Sequence, residues 1–231
     1  MSSSKSGYNL FKKGLVFGQY FNYQGIKMFW SSLIFKRQAF VPHVRAHSVA
    51  HINYAKLHGL GVRYIVFDKD NTLTAPYSRT YFNKEIENAM LNNCKAAFGI
   101  KNMAVLSNSV GSKDDPDYAE AKIVEESLGI SVIRHEKKKP AVHEDIMHHF
   151  GAIEEHLIAI VGDRILSDVV LGNHLGMFTV YVDPLHIDKE NFVVKGVRSF
   201  ENKVVPKICP KDPIKHPLIT SEEQLDDLMK R

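Results

Sequence analysis

Short apolar runs alternate with amphipathic stretches through the middle of this 231-residue chain. The amphipathic stretches have helical spacing, as in the segment that begins after Asn83 and ends at Gly99. The runs typical of buried strands are residues 62–67, 103–106, 130–133, 156–161 and 177–182. Strands that alternate with helices predict an α/β fold, with a Rossmann-like, mostly parallel sheet and helices on both faces.

The alternating pattern predicts a core over residues 62–183. Two segments of different character flank this core. Residues 1–61 are basic and rich in aromatic side chains. Residues 184–231 contain five prolines and predict a wrap over the surface that ends in a short helix.

Charge separates the first segment sharply from the core. Nine Lys or Arg residues and no Asp or Glu precede Asp68, whereas acids outnumber bases in the rest of the chain. Within residues 8–35 the longest charge-free run has thirteen residues, too few for a spanning helix, which needs roughly 20. The segment therefore predicts targeting or an amphipathic helix on an anionic membrane surface. A plain basic arm and a helix packed on the protein's own core are the alternatives.

Polar side chains follow four of the predicted strands at their carboxyl ends. In a parallel sheet these ends form one edge, beyond which ligands bind. The polar residues are Asp68 and Asp70 after the first strand, Ser107 and Asn108 after the second, Lys139 after the third and Asp163 after the fourth. The recurrence of these polar residues at the ends of successive strands predicts a single site that combines carboxylates, a hydroxyl group and a cation.

These residues resemble a known superfamily. Asp68-x-Asp70-x-Thr72, Ser107, Lys139 and Gly162-Asp163 with Asp168 look like the four ordered motifs of the haloacid dehalogenase (HAD) superfamily of phosphotransferases. The resemblance covers about residues 62–183. The variant DKDNTLT, together with SNS and GDRxxSDV, is similar to the mitochondrial phosphatidylglycerophosphate phosphatases and their bacterial relatives. Asn71 stands where most of the superfamily has glycine, and asparagine tolerates the positive φ that we expect there.

The resemblance implies a Mg²⁺-dependent phosphatase that dephosphorylates phosphatidylglycerophosphate to phosphatidylglycerol, a step toward cardiolipin. Asp68 would be the nucleophile that forms an aspartyl-phosphate, and Asp70 would protonate the leaving group and then activate water. The phosphate-binding candidates are Thr72, Ser107, Asn108 and Lys139. The metal candidates are Asp68, Asp70 through its carbonyl, Asp163 and Asp168, of which Asp168 would hold a metal-bound water or orient the lysine.

The spacing of the motifs leaves no room for a separate cap domain. Ser107 lies 39 residues after Asp68, and Lys139 lies 32 residues after Ser107. One helix and one strand use most of each interval, whereas an independent domain needs roughly 50 residues. We therefore expect a capless, open site that suits a phospholipid at a membrane, with Lys137, Lys138 and Arg164 as candidate headgroup contacts.

The sequence also allows other functions and one other candidate site. A soluble small-molecule or protein phosphatase of the same superfamily and a phosphorylatable receiver-like switch would use similar residues, although Asp70 favours hydrolysis over a long-lived switch. The acidic core argues against nucleic acid as a partner. Only two cysteines occur, so a disulfide framework is not expected. His43, His47 and His51 lie four residues apart and indicate either a metal site or a surface row of histidines.

The predicted location is mitochondrial, peripheral on the matrix side of the inner membrane. The acid-free, serine-containing leader resembles a transit peptide, although it is rich in lysine where such peptides favour arginine.

Overall fold

The computed structural model describes residues 37–139, 141–151, 154–186, 209–221, 223–226 and 228, together with four single positions between 196 and 207. The predicted interfacial segment, residues 8–35, lies outside the described residues.

Six parallel strands form one sheet in the order β1-β6-β5-β2-β3-β4. The strands are β1 (Val44–Ala46), β2 (Tyr64–Phe67), β3 (Met103–Val105), β4 (Ser131–Val132), β5 (Ile158–Gly162) and β6 (Phe178–Val182). The sheet confirms the predicted α/β class and the five predicted strands, each somewhat shorter than its apolar run.

Helices lie between successive strands as predicted, and a further helix follows β6. They are α1 (Tyr54–Gly59), α2 (Lys84–Asn88), α3 (Lys95–Phe98), α4 (Ala119–Leu128), α5 (His143–Phe150), α6 (Val170–Leu175) and α7 (Glu223–Asp226), with π-helical turns at Ala89–Cys94 and Ile165–Val169 and 3₁₀ turns at Arg37–Phe40, Val49–His51, Ile100–Asn102, Pro116–Tyr118 and Glu155–Leu157. The first π turn joins α2 to α3, so that the predicted helix after Asn83 is continuous. Its ends are as predicted, because the Asn83 side chain accepts the Ile86 N–H and Gly99 has a φ of +74°.

The sheet is buried on both faces, which explains why its strands read as unbroken apolar runs. Successive side chains of β2 point to opposite faces: Ile65 and Phe67 pack in one hydrophobic cluster, and Val66 packs in another. The first cluster includes residues of α1 to α4, and the second includes residues of α5 and α6. The prediction of helices on both faces is therefore confirmed.

The edge strand β1 was not predicted. Val44 and Ala46 are buried against β6, whereas Arg45 between them is exposed. Helix α1 follows and buries Tyr54 and Leu57 in the first hydrophobic cluster. Residues before the predicted start of the core at position 62 thus contribute to the sheet and its packing.

The three histidines that could form either a metal site or a surface row each have a different hydrogen-bond partner. The ring of His43 is buried, with Nδ1 2.7 Å from the Thr179 hydroxyl, and burial lowers its pKa to about 4. His47 lies 3.0 Å from the Asp183 carboxylate, and His51 lies 2.9 Å from the Ser48 hydroxyl. These contacts argue for structural roles.

The sheet has a topological switch point between β2 and β5. The chain runs from β2 outward to β3 and β4, and then returns to the other side of β2 to form β5 and β6. The loops after β2 and β5 therefore diverge and leave a crevice at the carboxyl edge of the sheet, which is where α/β proteins bind their ligands.

Candidate active site

Asp68 is the first residue after β2 and lies at the switch point. Its N–H donates to the carbonyl oxygen of Val161 in β5 at 2.8 Å, which extends the sheet pairing up to the site. The chain then turns sharply, with a φ of +65° at Asn71, as expected for this position. The turn is closed by a hydrogen bond from the N–H of Asn71 to the carbonyl oxygen of Thr74 at 2.8 Å.

Three carboxylates meet at this edge of the sheet. Oxygen atoms of Asp68, Asp163 and Asp168 lie within 4.8 Å of one another, although Asp68 belongs to the loop after β2 and the other two follow β5. Carboxylate oxygens are the ligands that Mg²⁺ prefers, and three negative charges this close are costly unless a cation offsets them. The donor set therefore fits a divalent cation. The Asp70 carboxylate is not among the three groups.

Lys139 supplies a second positive charge to the same cluster. Its buried ammonium group forms ion pairs with Asp68 and, at 2.6 Å, with Oδ1 of Asp168. Burial alone lowers the pKa of Lys139, but the carboxylates of Asp168 and Asp68 outweigh burial and hold that pKa above its usual value. The lysine is therefore a permanent cation beside Asp68.

Asp168 is held in place by the protein on both of its oxygens. Its Oδ1 binds Lys139, and its Oδ2 accepts hydrogen bonds from the Arg164 N–H and the Ser167 hydroxyl, each at 3.2 Å. Of the two predicted roles for Asp168, this geometry supports orientation of the lysine.

The loop after β3 brings Ser107 and Asn108 to the same edge. The Ser107 hydroxyl is buried and accepts weak hydrogen bonds from the N–H groups of Ser109 and Val110, at 3.3 and 3.4 Å. The side chain of Asn108, which is predicted to contact phosphate, accepts the backbone N–H of Lys139 through its Oδ1 at 2.9 Å. Asn108 thereby joins the loop after β3 to the loop that carries the lysine.

Asp70 is oriented by two hydrogen bonds to the same oxygen. Its Oδ1 accepts from the Lys69 ammonium at 2.7 Å and from the Tyr77 N–H at 3.1 Å. The side chain of Lys69 is buried, whereas that of Asp70 is 26% exposed. Both hydrogen bonds are made to Oδ1 rather than to Oδ2.

A family model described as mitochondrial PGP phosphatase matches residues 24–186, well over half of the chain. The chain belongs to this family.

Proteins similar in sequence to this chain are also named as phosphatidylglycerophosphate phosphatases. Phosphatidylglycerophosphate phosphatase 1 of Arabidopsis thaliana, chloroplastic/mitochondrial, is 39% identical over 211 residues, which are 90% of this chain and 60% of that protein. The chloroplastic phosphatidylglycerophosphate phosphatase 1 of Chlamydomonas reinhardtii is 39% identical over 189 residues, 79% of this chain and 67% of that protein. The mitochondrial phosphatidylglycerophosphatase GEP4 of Saccharomyces cerevisiae is 30% identical over 125 residues, 52% of this chain and 66% of that protein. This chain thus spans about three fifths of the length of the first of these relatives.

No solved structure matches the chain significantly. Among the helices that the structure describes, none has the length and apolar character needed to cross a membrane.

The two motif intervals of the candidate site contain no separate cap domain. Residues 37–139 are fully described, and between Asp68 and Ser107 they contain a loop, α2, α3 and β3. Between Ser107 and Lys139 they contain α4 and β4.

The remaining predicted site residues occupy different positions around this edge. Thr72 is fully buried, and its hydroxyl group makes no hydrogen bond with any residue described. Lys137 is exposed, whereas Lys138 is partly buried in an ion pair with Asp114 at 2.7 Å. Arg164 is partly buried beside Asp168. Of the three predicted headgroup contacts, only Lys137 has an exposed side chain.

His135 joins two site loops and was missed by sequence reasoning. Its ring is buried, with Nε2 2.7 Å from the carbonyl oxygen of Ser107 and Nδ1 2.5 Å from the carbonyl oxygen of Lys137. Its one sequence signal is that it stands two residues beyond an apolar strand run.

Proposed function

We propose that this protein is a Mg²⁺-dependent phosphatase that converts phosphatidylglycerophosphate to phosphatidylglycerol through a phosphorylated Asp68. The observation that carries the proposal is the meeting of Asp68, Asp163 and Asp168 with Lys139 at the switch point of the sheet, in a chain of the PGP phosphatase family. The relatives' names supply the substrate.

The first half of the reaction transfers the phosphoryl group to Asp68. A carboxylate oxygen of Asp68 attacks phosphorus, and the bond between phosphorus and the lipid oxygen breaks. Oδ2 of Asp70 gives a proton to that lipid oxygen, which leaves as the alcohol. Lys139 lies beside the attacking carboxylate and offsets the charge on the phosphoryl oxygens.

The second half releases inorganic phosphate. Water attacks the phosphorus of the aspartyl-phosphate, Asp70 takes the proton of that water, and the bond to the Asp68 oxygen breaks. The Ser107 hydroxyl would donate to a phosphoryl oxygen in both halves.

Asp68 and Asp163, with the Asp70 carbonyl, would hold Mg²⁺, and Asp168 would orient Lys139. When bound, the ion supplies charge neutralisation of the phosphate and of the carboxylate pair.

We propose further that the protein acts on a mitochondrial membrane, peripherally on the matrix side of the inner membrane, through its basic, aromatic first segment. The names of the Arabidopsis and yeast relatives include the word mitochondrial, which supports the organelle.

A substrate panel tests the function. We expect phosphate release from phosphatidylglycerophosphate in vesicles to depend on Mg²⁺, with a kcat/KM at least about tenfold above those for phosphatidic acid and for water-soluble phosphomonoesters. The control is the same assay with EDTA, which should abolish release. Equal or higher kcat/KM for a soluble ester would favour a soluble-substrate phosphatase, and a single burst of phosphorylation without turnover would favour a switch.

A further inference from the structure

An aromatic side chain stands exposed at the edge of the candidate site. Tyr77 is 78% exposed, more than any other large apolar side chain in the part of the chain that the structure describes. The next are Phe82 at 41% and Ile123 at 39%. Single exposed apolar residues are ordinary, so the case for Tyr77 depends on its backbone and its contacts.

The backbone of Tyr77 is strained. The N–H of Ser78 donates to the carbonyl oxygen of Ala75 at 3.0 Å, which makes residues 75–78 a tight turn with Pro76 second and Tyr77 third. Tyr77 has a φ of +64°, a value for which glycine or asparagine is the usual residue. Strained backbone at a residue other than glycine is typical of functional positions.

The loop that carries Tyr77 is fixed at its other end. Arg79 forms two hydrogen bonds with the Glu120 carboxylate in α4, at 2.6 and 2.7 Å. The Tyr81 hydroxyl donates to the carbonyl oxygen of Leu128 at the end of α4, also at 2.7 Å. The ring is thus presented from a loop with several attachments to the core.

Tyr77 lies on the side of the site where the leaving group of the proposed reaction is protonated. Its N–H donates to Oδ1 of Asp70, the residue to which we assign protonation of the leaving group. In the proposed reaction the leaving group is the lipid, because the phosphoryl group stays on Asp68. Asp70 therefore marks the side on which the lipid lies, and Tyr77 stands on that side.

We propose that the Tyr77 ring contacts the phospholipid that bears the reacting phosphate, at the level of its headgroup and glycerol backbone. This inference rests on the proposed function and adds a residue that favours lipid over soluble substrates. A tyrosine ring suits this environment, because its apolar body and its hydroxyl group match the boundary between acyl chains and water. The site has no cap in its motif intervals, so the ring can meet a substrate that remains in its membrane.

The test compares two substrates in the full-length protein. Tyr77→Asn keeps a residue that accepts positive φ and keeps the N–H to Asp70, while the ring is lost. We expect the ratio of kcat/KM for phosphatidylglycerophosphate in vesicles to kcat/KM for para-nitrophenyl phosphate to fall about tenfold, the factor expected when an aromatic contact is lost. Tyr77→Trp, which retains an interfacial aromatic ring, should keep the ratio within about twofold of wild type.

A matched control is Ile123→Gln, which removes another exposed apolar side chain, on α4, and should leave the ratio as in wild type. An unchanged ratio in Tyr77→Asn would overturn the inference, as would an equal fall in both activities, which would mean that Tyr77 acts only through Asp70. A wild-type protein that hydrolyses the soluble ester but not phosphatidylglycerophosphate would instead overturn the proposed function.

Discussion

Asp68→Asn is expected to abolish turnover while the protein stays folded. The amide has nearly the same shape as the carboxylate but cannot attack phosphorus, so kcat should fall at least about 10⁴-fold. The backbone hydrogen bond from residue 68 to Val161 is kept, and Lys139 retains its ion pair with Asp168. We therefore expect a cooperative thermal unfolding transition like that of wild type, measured beside phosphate release.

The control for this variant is Asp212→Asn, which makes the same chemical change at an exposed aspartate outside the carboxylate cluster. It should turn over as wild type does. Activity within tenfold of wild type in Asp68→Asn would reject Asp68 as the nucleophile.

Gly162→Ala is expected to damage both the site and the fold. Gly162 ends β5, and a Cβ there would lie 2.4 Å from Cγ, 2.5 Å from Oδ2 and 2.6 Å from Cβ of Asp168. The strand is paired on both sides, so Asp168 must move and its contact with Lys139 must change. Overpacking of this kind costs about 1–3 kcal/mol, and a displacement of about 1 Å in a catalytic group can cost about 10²-fold in rate.

The measurements are the midpoint temperature of thermal unfolding and the kcat for phosphate release at a temperature below that midpoint. Gly59→Ala at the end of α1 is the matched control, because a Cβ at Gly59 would meet nothing within 4 Å. It should match wild type in activity and be equally or slightly more stable. A Gly162→Ala protein with wild-type midpoint and kcat would mean that the packing of Asp168 against β5 is unimportant.

Most of the sheet could be predicted because its strands are buried on both faces. Residues 64–67 and 158–162 are apolar runs that end abruptly in aspartate, so the sequence marks both the strand and the start of the site. The meeting of Asp68, Lys139 and Asp163 followed from the same logic, since parallel strands end at a common edge.

Features that depend on contacts between distant segments could not be predicted. Strand β1 has three residues, one of them the exposed Arg45, and it is a strand because β6 offers it an edge. A further ion pair of the site, Lys69 with Asp70, depends on burial of a lysine that a sequence pattern assigns to solvent. The same holds for His135, whose contact with the Ser107 carbonyl oxygen forms only when the loops after β3 and β4 pack together.

Transfer of a phosphoryl group to Asp68 is the central step of the proposed mechanism. The protein should be mixed with Mg²⁺ and phosphatidylglycerophosphate vesicles, quenched in acid within one turnover, reduced with borohydride and mapped by peptide mass spectrometry. Borohydride converts an aspartyl-phosphate to homoserine, so we predict homoserine at position 68, dependent on substrate and on Mg²⁺. Phosphate release without homoserine at position 68, or with homoserine at another aspartate, would contradict the account.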